Sequence, residues 1–77
     1  MSEEEFKELI KSIGFQYIPL YHRYEYKEFS IDICQGNVYN LYTGSGWILI
    51  IPLNHLNPLN KYFKREMRNI KLKELLR

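Results

Sequence analysis

The chain has one cysteine, Cys34, in 77 residues. A single thiol cannot close an internal disulfide, so the bridged framework of small secreted domains is excluded, and a reducing compartment is the expectation. The two histidines, His22 and His55, lie in different segments from each other and from Cys34, and no two of the three stand at metal-ligand spacing. No metal site and no cofactor are expected. Glycine is sparse, and its one cluster, "TGSG" at 43–46, lacks both the lysine of a phosphate-binding P-loop and the spacing of a dinucleotide fingerprint. It is not G-x-S-x-G either, and nothing in the sequence brings Ser45, a histidine and Asp32 together as a relay. The plain reading of "TGSG" is a hairpin turn in which the glycines supply positive φ. No catalytic residues are assigned, and an enzyme is not expected.

Long apolar runs are also missing. The longest, "WILIIPL" at 47–53, falls far short of the roughly 20 residues that a membrane-crossing helix needs. The opening "MSEEEFKELIKSIG" is acidic and amphipathic, unlike a signal peptide. A cytoplasmic protein without a membrane partner is expected. Heavy use of Ile, Lys, Asn, Tyr and Phe, whose codons are AT-rich, fits an AT-rich genome. A compact chain with no catalytic set also fits the blocking proteins of phages and mobile elements, which would place it in a host cytoplasm.

The largest absence is of charge. Residues 33–60 contain no Asp, Glu, Lys or Arg, although 26% of the chain is charged and about seven such residues would be expected there. The charges gather at the ends. Residues 1–11 carry a net −2 and residues 61–77 a net +5, within an overall +2.

What is present is aromatic and apolar: 16% of residues are aromatic and 45% hydrophobic. A chain this short has a marginal core, and large rings supply the most burial per residue. "SEEE" at 2–5 reads as a capping box with Ser2 as N-cap, and Phe6, Leu9, Ile10 and Ile13 follow at helical spacing until Gly14 stops the helix. "FQYIPLYHRYEY" reads as one edge strand, because Pro19 would cost a ladder bond in a central one. "YKEFSIDICQ" alternates as a half-buried strand does, "GN" at 36–37 turns the chain, and "VYNLY" is the next strand. "WILIIPL" is apolar on both faces, the mark of a central or doubly covered strand. A second helix opens near Pro58 with Asn57 as N-cap. On it Leu59, Phe63, Met67 and Ile70 form one stripe, while Leu72, Leu75 and Leu76 point the other way. One straight helix cannot bury both sets, so a break or bend near residues 69–71, or a C-terminal turn that packs elsewhere, for instance on a partner chain, is predicted.

These elements make an α+β domain, α-β-β-β-α or α-β-β-β-β-α, with an antiparallel three- to four-stranded meander and both helices on one face. Residues 1–77 form one small domain, with 70–77 a turn or bent extension. The order α-β-β-β-α resembles the double-stranded-RNA-binding domain. The resemblance is one of topology: that family opens its second helix with a run of lysines, where this chain has "LNPLNKYF" and Lys61 alone.

Two surfaces carry the functional expectation. Lys61, Lys64, Arg65, Arg68 and Lys71 project within about 120° of one another over about 15 Å of helix, with no acid between them. They have the form of a footprint for two or three phosphates, so nucleic acid or a nucleoprotein is the expected partner. The alternative is a protein-interaction module or inhibitor, docking a partner or a second copy through the uncharged hairpin around Tyr39, Tyr42 and Trp47. The missing lysines and arginines of that hairpin argue for burial or a protein contact rather than a base-stacking platform.

Overall fold

The computed structural model describes the backbone of residues 1–75 and the side chains of residues 1–72. Ser2 opens α1 (Glu3–Ile13) with both halves of the capping box in place: its hydroxyl accepts from the Glu5 N–H and its own N–H donates to Glu5 Oε1, each at 3.1 Å. These bonds to Ser2 hold the Glu5 carboxyl below its ordinary value. Gly14 ends the helix at φ +133°, its N–H shared between the carbonyls of Ile10 and Lys11.

Five strands follow: β1 (Gln16–Ile18), β2 (Arg23–Tyr26), β3 (Phe29–Cys34), β4 (Val38–Thr43) and β5 (Gly46–Pro52). They form one antiparallel meander in the order β1-β2-β3-β4-β5. The class and the meander are those read from the sequence. The additional strand arises because Pro19 does not lie within an edge strand. It opens a turn over residues 19–22, closed by Tyr21 N–H to Ile18 O and His22 N–H to Pro19 O, and splits the segment into β1 and β2. With five strands the sheet also departs from the α-β-β-β-α order of the double-stranded-RNA-binding domain.

The second helical segment is two helices, α2 (Asn57–Tyr62) and α3 (Lys64–Leu75). Its N-cap is Leu56 rather than Asn57, which lies within the helix, and no side chain caps it. The break falls at Phe63 (φ −126°, ψ 41°), and α3 runs through residues 69–71 without interruption. Residues 70–75 are therefore the continuation of a helix, and the expectation for Leu76 and Arg77 lies outside the described residues. The cause of the break is packing. Phe63 is buried among the rings of Phe15, Tyr26 and Phe29, with centroids 5.3, 5.9 and 4.7 Å away, and the chain bends to seat it there. Leu72, on the opposite side of α3, stays half exposed.

All three helices cover one face of the sheet. Phe6, Ile10 and Ile13 of α1 and Leu59, Phe63 and Met67 of the later segment join Tyr24, Ile31, Tyr39, Leu41 and Ile51 in a single core. Alternation along the strands sends Glu25, Ser30, Tyr42 and Trp47 to the other face, where register sets them in a row across four strands. Tyr26 ties the layers together, its hydroxyl donating to Glu66 of α3 at 3.1 Å.

Candidate functional site

Tyr39, placed by sequence in the contact surface, belongs instead to the core. It is fully buried, its ring stands 4.5 Å from that of Phe6, and its hydroxyl donates to the His55 carbonyl at 2.9 Å. Burial pushes its phenol up to about 12. Tyr42, an odd number of positions further on, must face the opposite way. There it lies half-buried, paired across the strands with Trp47. Partial burial and the neighbouring Asp32 carboxylate raise its phenol above the ordinary value.

Trp47 is 68% exposed, and the three residues after it, Ile48, Leu49 and Ile50, are exposed too. The sequence pointed to a central or doubly covered strand here. The finding is the reverse: β5 is the last strand of the meander and lies at its edge, bonded on one side only. Of its seven residues only Ile51 is buried. Pro52 at its end fits an edge position.

The backbone of β5 is strained where it is most exposed. Register runs Tyr39↔Ile51 and Leu41↔Ile48, so Asn40 alone stands opposite Leu49 and Ile50, a β-bulge. Ile50 takes φ +57° while 74% exposed. A β-branched residue in the left-handed region is a genuine outlier. Asn40 braces the distortion, its Oδ1 accepting the Ile50 N–H at 2.8 Å and its Nδ2 donating to Cys34 Sγ at 3.4 Å. At the other end of the strand, neither Gly44 nor Gly46 supplies the positive φ expected of it. The turn is held by Thr43, whose hydroxyl donates to the Gly46 carbonyl and accepts the Ser45 N–H.

The basic set is divided by the bend at Phe63. Lys61 stands on α2 with its ammonium 5.4 Å from the Tyr62 ring centre, while Lys64, Arg65, Arg68 and Lys71 are on α3. All five are exposed, and none forms an ion pair with a described residue. Lys64, Arg68 and Lys71 line a shallow groove of about 390 Å³ together with Asn60, Met67 and Leu72, and Arg65 lies outside it. The other flank of α3 is of opposite sign: Ile70 and Leu9 floor a second groove rimmed by Glu4, Glu5 and Glu8. Among the described residues no three His, Cys, Asp or Glu side chains are placed so that they could hold a metal ion, and no helix is long and apolar enough to cross a membrane.

Ile48, Leu49 and Ile50 are the surface residues that sequence reasoning missed. The signal was topological, since the last strand of a meander has a neighbour on one side only. Compared with protein-family models, with curated proteins and with solved structures, the chain matches none.

Proposed function

We propose that the chain is a small non-catalytic protein-binding module of the cytoplasm whose contact surface is the β5 edge, with Trp47, Leu49 and Ile50 as its apolar anchors and Tyr42 beside them. One observation carries this reading: four consecutive apolar side chains stand exposed on an open strand edge that bears no charge. Proteins that keep their edges to themselves place lysine, proline, a bulge, inward-pointing charge or a covering element there; in β5 the bulge and Pro52 fall at the C-terminal end, and Gly46–Ile48 carry none of these. Exposed aromatic and aliphatic clusters mark interaction sites. The left-handed Ile50 supports the same reading, because strain of this kind is retained where the surface is used. Ile50→Gly is therefore expected to stabilise the free domain by about 1 kcal/mol, read by urea denaturation, as the left-handed penalty is removed. The same change should weaken partner binding. Trp47→Asp should cost a partner complex about 2 kcal/mol or more, a loss of roughly thirtyfold in affinity. Unchanged affinity in both variants overturns the reading.

A second reading rests on the cations of α2 and α3, which have no acidic partner among the described residues. They suit nucleic acid or a nucleoprotein, approached along the Lys64/Arg68/Lys71 groove and away from the acidic flank at Glu4 and Glu8. Binding to generic RNA or DNA should then fall with salt at a log–log slope of about −0.7 to −0.9 per phosphate contacted. Reversing Lys64, Arg65 and Arg68 to Glu together should abolish it with the fold intact. A flat salt response rules this reading out.

A further inference from the structure

We infer that the occupant of the β5 edge is a second copy of this chain, paired antiparallel about a twofold axis at Ile48 so that two five-stranded sheets become one of ten strands. The inference rests on the protein-contact reading of β5 and names the partner.

The two edges of the sheet differ. β1 is three residues long, is followed directly by Pro19, and lies beside the ion-paired Arg23 and Glu25 of β2. β5 is seven residues long, and its own interruptions, the Leu49–Ile50 bulge and Pro52, lie toward its C-terminal end and leave Gly46–Ile48 open. A sheet with one pairing edge joins once and stops, which gives a closed twofold pair rather than a fibre.

Charge points the same way. A twofold axis sets the residue on it opposite its own copy, so a charge at the axis meets a like charge. β4, β5 and the turn between them lie inside the 28-residue stretch without Asp, Glu, Lys or Arg. A neutral strand is complementary to itself, whereas an acidic or basic partner would find nothing there to recognise.

Register follows from side-chain direction. Trp47 faces away from the helices beside Tyr42, and Ile48 faces the helix side beside the buried Leu41. Opposed residues in an antiparallel pair share a face. An axis at Ile48 meets this condition: Ile48 opposes Ile48, and Trp47 of each copy opposes Leu49 of the other. The Gly44–Ser45 turn bounds the new ladder on one side. The Leu49–Ile50 bulge bounds it on the other, where the Ile50 N–H is already spent on Asn40. A short ladder bounded at both ends holds one register.

Trp47 is the only tryptophan in the chain, so its emission reports the contact. On raising the concentration of the full chain, light scattering is expected to move from 9.4 kDa toward twice that mass, with Trp47 emission shifting to the blue over the same range. Ile48→Lys should weaken the dimer by about a hundredfold or more while leaving the circular dichroism spectrum unchanged. Ile48→Cys in a Cys34→Ser background should oxidise to a covalent dimer, because directly opposed strand residues lie within disulfide reach. The same change at Gln16 on the opposite edge should not. A mass that stays at that of one chain with constant emission overturns the inference, as does a dimer that survives Ile48→Lys. If the chain is monomeric and Trp47→Asp still abolishes binding to some other protein, the second copy falls and the protein-contact reading stands. If Trp47→Asp abolishes neither, both fall.

Discussion

Gly14→Ala is expected to destabilise the domain by about 3–4 kcal/mol, lowering its melting point by roughly 15–25 °C. Two independent costs add. Gly14 takes φ +133°, a conformation that L side chains rarely adopt, and holding one there costs about 1–3 kcal/mol. A Cβ at that position would also lie 2.7 Å from Cε1 of Tyr26 and 3.0 Å from its Cδ1. The partly buried ring is restrained on two sides, packed against Phe15 and Phe63 with its hydroxyl held by Glu66. Overpacking of this sort adds about 1–3 kcal/mol. Set against a total of about 5–15 kcal/mol for a native domain, the sum is a large share. Thermal and urea unfolding of the two proteins measure it.

Tyr39→Phe is expected to be less stable than the parent at pH 8 and more stable above about pH 11. At pH 8 the change loses only the hydrogen bond to the His55 carbonyl, a net cost of about 1 kcal/mol. The alkaline side follows from burial, which pushes the phenol from the ordinary value near 10 to about 12. Between those values the unfolded chain gives up the proton and the folded one keeps it. The unfolded state then binds fewer protons, and stability falls as pH rises. The contribution is intact below the unfolded pKa and lost as pH climbs through the folded one. It amounts to about 1.4 kcal/mol per pH unit, or nearly 3 kcal/mol in full. Phenylalanine escapes that loss, so the two stability curves cross. Urea midpoints from pH 8 to 12 test it, and parallel curves would show that Tyr39 is not buried.

Much of this architecture was legible in the residues. The Ser2–Glu5 box, the Phe6/Ile10/Ile13 stripe and Gly14 define α1 because each acts within a few residues of itself. The alternation of β3 and the turns around it are equally local. The misreadings have a common cause, which is that local patterns do not report neighbours. Pro19 is compatible with an edge strand or with the first position of a turn, and the hydrogen bonds around it decide for the turn. The bend at Phe63 is set by Phe15, Tyr26 and Phe29, which come from far earlier in the chain. Tyr39 is a different case. Parity along one strand already separates it from Tyr42, so grouping the two as one aromatic surface overlooked an alternation that was in view. With β5, composition pointed to a covered strand, but its place at the end of the meander makes it an edge. Among the described residues no strand follows β5 in the sheet to cover it.

The meander also sets the order in which the molecule can assemble. Each strand pairs only with the strand before and after it, so the sheet can zip up hairpin by hairpin with little loop-closure entropy. The long closures are those of the helices, above all α3 settling against α1 and the bond between Tyr26 and Glu66. A nascent chain can therefore complete its sheet while Phe15, Tyr26 and Phe29 are still bare, and the late helical segment, with Phe63 at its bend, closes over them. Until it does, the growing chain is apolar on the very face that the finished domain hides.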